Sequence, residues 1–375
     1  MIEKKINLLI ITQKVDLNDP VLGFFHGWLK EFAKHCNKLT VICLEKGDYE
    51  LPENVKVLSL GKDGGESKAK YLHKFYKYIR QEKDNYDSVF VHMNPIYVIL
   101  GGLFWRSSGK KIALWYTHKS VDLKLKLAEK LSHIIFTASK ESFRLNTRKL
   151  VVTGHGIDTE IFKPKDNQHT RLNEILDTKG VGDKFNIVSV GRISPVKNYE
   201  ILIDAIKILS QDNANTGLKI IGGPGTKDQK VYLEQLKKKV QDSGLSEVVE
   251  FVGEVTNKET VKYLQNADVF VNLSHTGSLD KAVLEAMACG LPVVTTNEGL
   301  KSTLGEGLVY TSDDPKGLAL KIKYILRMPY KAHDVSGISY RTEKDRLAIG
   351  RVLRETIIED HNLSRLISKL VLKMN

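Results

Sequence analysis

Two cations five positions apart, Arg192 and Lys197, stand in SVGRISPVKNYEILIDAIKIL, directly after an apolar run and just before a helical pattern. The pattern predicts a strand ending at Val190, a turn at Gly191 and a helix beginning near Asn198, so both cations fall on a loop at the carboxyl end of a strand. Fixed positive charge beside the free N–H groups of a helix start is a site for an anion. Arginine grips a phosphate in two places and lysine adds a mobile point charge. Either residue alone reads as a loop surface charge; the pair in this setting favours phosphate.

A second pattern is HTGSLDKAVLEAMACGLPVV, from His275 to Val294, read as loop, helix, glycine stop and strand. Val283, Leu284, Met287 and Ala288 form an apolar stripe, and Glu285 stands beside them. A carboxylate there can accept two hydrogen bonds from a vicinal diol such as a ribose; the plainer alternative is a solvated helix glutamate. Gly277 and Ser278 lie at or before the helix start, with backbone N–H groups for an anion or a sugar hydroxyl. Asp280 reads equally as a helix N-cap. Strand-end glycines in LKIIGGPG and in FVGEV (Gly253) are weak signals that a tight turn also explains. In the first half, Gly23 follows the first strand, and His92, His118 and His155 each end one. A lone strand-end histidine is usually structural; several on one rim would mark a ligand-facing edge.

These residues need a scaffold. Short all-apolar runs such as INLLIIT, LTVICL, DSVFVHM and KIALWYT alternate with helical stretches, as buried parallel strands do. A polar, turn-rich stretch beginning IFKPKDNQHT follows, and a second series starts at FNIVSVG, continuing through LKIIGG, VVEFVG, DVFVNL, PVVTT and GLVYT. The expected fold class is α/β, two Rossmann-like doubly wound domains facing a central cleft. The expected division is 1–165 and 166–354, with a helix at about 355–375 packing back on the first domain.

The 375 residues suffice for two domains, and 42% hydrophobic with 27% charged residues is an ordinary globular balance. The chain has no apolar run of roughly 18 residues, the length that a spanning helix needs. MIEKKINLLIITQK reads as a first strand rather than a leader. Cys36, Cys43 and Cys289 lack metal-ligand spacing and are expected reduced, in a cytoplasmic protein. The net charge of +12 points to anionic partners or to nothing more than a basic surface. SKAKYLHKFYKYIRQEK reads as a basic amphipathic helix with Tyr71, Phe75 and Tyr78 turned to the core, and suggests peripheral contact with an anionic membrane. No nucleic-acid motif is present, so nucleic acid is not expected as a partner.

Taken together, VGRISPVKNYEILIDA, SLDKAVLEAMACGLPVV, GHGIDTEIFKP and NADVFV resemble the family 4 retaining glycosyltransferases of the GT-B fold, with His155 where that family usually has asparagine. The resemblance covers nearly the whole chain and is strongest from about 150 to 300. It implies transfer of a sugar, with retention at the anomeric carbon, from a UDP- or GDP-linked donor to an acceptor hydroxyl, a lipid-linked or cell-envelope glycan being one candidate. It assigns Arg192 and Lys197 to the diphosphate, Glu285 to the donor ribose, His118 to the vicinity of the donor sugar, and Gly23 to the glycine-rich loop near diphosphate and acceptor. Gly191 and Gly253 fall among the donor-side strand ends. One departure concerns the sugar end: the family's first glutamate, eight positions before the second, is Gly277 here. Either Asp280 or the backbone N–H groups of Ser278 and Leu279 take over, or the donor sugar differs there, or turnover is lost. No metal and no cofactor are implied. The alternatives are a nucleotide-sugar epimerase of the same fold and a basic, non-catalytic anion- or nucleic-acid-binding protein.

Overall fold

The computed structural model describes residues 5–165, 184–212, 214–275, 279–301, 304, 313–326 and 343–375, the last stretch with side chains from 349. The chain forms two compact units, Met1–Asp158 with Asp360–Asn375, and Thr159–Glu359. The division therefore falls before the expected 165 and after the expected 354. The turn-rich stretch from 166 and the GLVYT run lie outside the described residues.

The first unit is a seven-stranded parallel sheet in the order β3-β2-β1-β4-β5-β6-β7. Its strands are β1 (Ile6–Val15), β2 (Cys36–Lys46), β3 (Val55–Ser59), β4 (Ser88–His92), β5 (Lys111–Trp115), β6 (Ile134–Thr137) and β7 (Leu150–Val152). Leu8, Leu9, Ile10 and Ile11 are all buried because helices cover both faces of the sheet. One face carries α2 (Lys68–Gln81), α3 (Pro95–Ser107) and α4 (Leu123–Leu131), whose Phe75, Ile79, Trp105 and Leu125 share a core with β1, β4 and β5. Phe75 turns to that core as the sequence predicts, and Tyr71 and Tyr78 pack partly buried against it.

α1 (Phe24–His35) packs on the closing helix. That helix ends the chain over Leu363–Met374 and buries Leu366, Ile367, Leu370 and Met374 along one stripe. Backbone bonds from Ile157 N to His361 O (2.7 Å) and from Leu363 N to Ile157 O (2.9 Å) tie it to the end of the first segment.

The second unit is a five-stranded parallel sheet, β10-β9-β8-β11-β12. The strands are β8 (Phe185–Val190), β9 (Thr216–Ile221), β10 (Val249–Gly253), β11 (Val269–Asn272) and β12 (Val293–Thr295). Its helices are α5 (Tyr199–Gln211), α6 (Lys227–Asp242), α7 (Asn257–Gln265), α8 (Lys281–Ala288), α9 (Pro315–Leu326) and α10 (Glu343–Asp360), so the closing helix is α11. In this order the winding reverses between β8 and β11, and the crevice at such a switch point is where open α/β sheets bind ligands. Cys36, Cys43 and Cys289 are free and buried, and burial pushes the Cys36 and Cys43 thiols up to about 12. Among the described residues no helix is long and apolar enough to cross a membrane.

Candidate functional site

The strand-end glycines are the first feature the fold explains. Gly191, Gly222 and Gly253 close the neighbouring strands β8, β9 and β10. Gly191 N donates to Ile221 O at 2.9 Å and Gly222 N to Gly253 O at 2.8 Å. A Cβ on Gly222 would stand 2.1 Å from Gly191 O, and its φ of +130° disfavours any side chain. Read in isolation, LKIIGGPG is no more than a turn. The tertiary structure makes Gly222 a condition for the backbone at Gly191 and Arg192.

After Gly191 the chain runs through exposed Arg192 into a short 3-10 turn, Pro195–Lys197, and α5 starts after Asn198. Asn198 holds the left-handed conformation (φ 50°), and its Nδ2 donates to Leu273 O at 2.9 Å. Lys197 is thereby aimed across the switch point at the segment after β11. Its Nζ lies 2.5 Å from Asp280 Oδ2.

Asp280 is the N-cap of α8, with Oδ1 accepting from Ala282 N at 3.2 Å. Oδ2 also accepts from Asn272 Nδ2 at 3.0 Å. Burial alone would raise the carboxyl pKa. The Lys197 charge, with hydrogen bonds from Lys197, Asn272 and Ala282, outweighs it and holds Asp280 ionised below the usual carboxylate range.

Glu285 is not a solvated helix glutamate. It is 3% exposed on α8, and its Oε1 accepts from Asn257 Nδ2 at 2.7 Å and from Lys281 Nζ. Lys281 in turn stands 5.5 Å over the Phe162 ring. Asn257 belongs to the first turn of α7, which a capping box at Thr256 and Glu259 starts just beyond β10. Sequence inspection does not single out Asn257 or Lys281. The only signal is Lys281 four residues before Glu285, and an i,i+4 pair is too common to mark a site.

Of the remaining candidates, Leu279 is buried, and Gly277 and Ser278 lie outside the described residues. Gly23 precedes α1, donates to Asp19 O at 2.9 Å, and would bring a Cβ to 2.5 Å from that oxygen. His118 is exposed beyond β5, its Nδ1 accepting from Ser120 N at 3.1 Å. His92 is not on a ligand-facing rim. It is buried, stacked at 4.1 Å on Phe25, with Thr12 Oγ1 3.3 Å from its Nδ1. Burial, with a smaller contribution from His155, pushes its imidazole down to about 3. Gly23 and His118 belong to the first unit; Arg192, Lys197, Gly253, Asp280 and Glu285 belong to the second. No metal-ligating cluster of three or more His, Cys, Asp or Glu occurs among the described residues.

The second unit is a doubly wound domain that brings two cations, the buried Glu285 and the half-buried Asp280 to its switch point. Residues 173–341 match the family of glycosyl transferases group 1. It is 28% identical over 182 residues to D-inositol 3-phosphate glycosyltransferase of Jonesia denitrificans, covering 46% of this chain and 42% of that one. It is 32% identical over 151 residues to the GDP-mannose-dependent alpha-(1-6)-phosphatidylinositol monomannoside mannosyltransferase of Mycolicibacterium smegmatis, covering 38% and 37%. The chain thus spans less than half the length of these relatives. HepE of Anabaena, solved in complex with UDP, superposes with a TM-score of 0.73 at 16% identity over 98% of this chain and 99% of that one, which shows the shared GT-B fold.

Proposed function

We propose that this protein is a metal-independent, retaining hexosyltransferase that moves a sugar from a nucleotide-diphospho-sugar to an acceptor hydroxyl. The carrying observation is the Arg192–Lys197 loop at the switch point of the domain that matches the family. Arg192 and Lys197 bind the diphosphate and offset the charge that develops on the leaving phosphate oxygen, with no divalent ion required. Gly191 and Gly253 let the backbone approach the donor. Glu285 accepts hydrogen bonds from the ribose diol, its second oxygen being the one that Asn257 and Lys281 leave open.

With Gly277 in place of the first glutamate, the sugar is held by backbone N–H groups at Gly277, Ser278 and Leu279. Asp280 acts on the donor through Lys197, since both of its oxygens already accept hydrogen bonds. His118 and Gly23 serve the sugar and acceptor side. The donor base is uracil or guanine: HepE was solved with UDP, and the mycobacterial relative is named for GDP-mannose. The acceptor is a lipid-linked or cell-envelope glycan reached from the cytoplasmic side, in keeping with the relative named for phosphatidylinositol monomannoside.

The two relatives named above are both transferases, which leaves the epimerase reading without support. The test is a thermal-shift screen against UDP- and GDP-sugars, followed by product analysis with the stabilising donor and a lipid-linked glycan. Transfer with retained anomeric configuration is expected. An isomerised donor formed without acceptor, or no stabilising donor at all, would overturn the proposal.

A further inference from the structure

The helical layer α2, α3 and α4 combines two features that the reaction does not use. The three helices lie side by side on one face of the first sheet. The Phe75 ring of α2 meets Tyr97 and Trp105 of α3 at 5.4 and 6.0 Å, and Tyr76 Oη donates to Leu100 O at 3.1 Å. Arg106 of α3 donates to Leu131 O of α4 at 3.1 Å. Their outward sides therefore form one surface.

That surface carries charge of one sign. The three helices hold nine Lys and Arg residues, five on α2, one on α3 and three on α4, against a single acid, Glu129. Glu129 is half-buried and turned to Thr147 and Lys149. Of the flanking acids, Glu66 neutralises Lys74 at 2.9 Å and Asp122 caps α4. The lysine-rich α6 differs: Asp228, Glu234 and Asp242 interrupt it, and Lys237 and Lys239 pair with Glu234 and Asp204.

Between the cations the same surface exposes large aliphatic side chains. Leu103 is 74% and Leu123 70% exposed, and Leu72, Ile96 and Leu127 are exposed as well. Its aromatic rings face the other way: Phe75 and Trp105 are buried, and the Tyr76 and Tyr78 hydroxyls are bonded to Leu100 O and Ser59 O. A nucleic-acid platform offers exposed rings for bases to stack on. Here the rings are inward and leucines are outward among cations, which is the chemistry of a surface that sinks aliphatic tips below a layer of anionic headgroups.

We propose that the outward sides of α2, α3 and α4 dock this protein on a bilayer rich in anionic phospholipid. This proposal does not rest on the transferase reading. The lysines and arginines meet the headgroups, and Leu72, Leu103, Leu123 and Leu127 enter the acyl boundary.

The test is co-flotation of the full chain with vesicles of phosphatidylcholine alone or with about one third phosphatidylglycerol. Binding is expected to the anionic vesicles only and to fall steeply with salt. The variant Lys70→Glu/Lys77→Glu and the variant Leu103→Ser/Leu123→Ser should each weaken partitioning by at least about tenfold. Lys230→Glu/Lys238→Glu on α6 should leave it unchanged. Circular dichroism and thermal denaturation report whether each variant is folded. Equal partitioning to both vesicles, or full partitioning by the folded leucine variant, would overturn the proposal. So would displacement from vesicles by DNA with the leucine variant binding DNA as the parent does, which would make the surface a general polyanion site.

Discussion

Lys197 Nζ and Asp280 Oδ2 lie 2.5 Å apart across 83 residues of sequence, and they join the loop after β8 to the helix after β11. Lys197 is therefore held in place by the protein's own contacts. Its position is set by a carboxylate that is itself held by Asn272 and the α8 backbone. Asp280→Ala should cost about 2–4 kcal/mol, since it leaves a mostly buried cation unpaired and removes an N-cap. Urea unfolding at neutral pH measures this. If the pair is structural filler alone, the double variant with Lys197→Ala should lose no more donor turnover than Asp280→Ala does.

Arg192→Ala and Lys197→Ala should each lower kcat by roughly a hundredfold to a thousandfold, because each removes a fixed charge from the developing phosphate oxyanion. Steady-state kinetics with saturating donor is the check. Activity should persist in chelator, and its loss with recovery on adding Mg²⁺ or Mn²⁺ would count against a diphosphate neutralised by these two side chains.

Glu285→Ala should weaken donor binding by roughly 1–3 kcal/mol, the cost of charged hydrogen bonds to a diol. Lys281→Met and Asn257→Ala should weaken it less, since they only position the carboxylate. Titration calorimetry with the nucleoside diphosphate separates the three. Unchanged affinity in Glu285→Ala would remove the ribose from this site.

Gly222→Ala should be severe for so small a change. The new Cβ would meet Gly191 O at 2.1 Å in a backbone with φ of +130°. Strain of about 1–3 kcal/mol and a displaced Arg192 loop are expected. A lower melting temperature together with weaker donor affinity would show both effects, and parent-like values for both would contradict them.

The buried His92 makes stability depend on pH. Its folded pKa of about 3 lies below the ordinary value of 6.5, so the folded state requires the neutral ring. The His92 contribution is fully present above about pH 6.5 and is lost as pH falls from there toward 3, because the unfolded chain takes up the proton first. The slope approaches about 1.4 kcal/mol per pH unit for one proton. Denaturant midpoints from pH 7 down to 4 should fall less steeply in His92→Gln than in the parent chain.

Much of this molecule is legible in its residue order. Runs such as LLII in β1 are apolar on consecutive positions, as a strand covered on both faces requires, and their alternation with helical stretches reads as two doubly wound units. Arg192 and Lys197 can be placed on one strand-end loop because strand, glycine and helix start are neighbours in sequence. Glu285 stands out as a carboxylate in an apolar stripe. The tertiary structure alone decides what these groups touch. Asp280 serves as counter-charge to Lys197, Asn257 and Lys281 secure Glu285, and His92 belongs to the core. Local propensity and periodicity act over a few residues, whereas the Asn257–Glu285 and Lys197–Asp280 contacts join segments 28 and 83 positions apart that meet only where parallel strands bring their ends together.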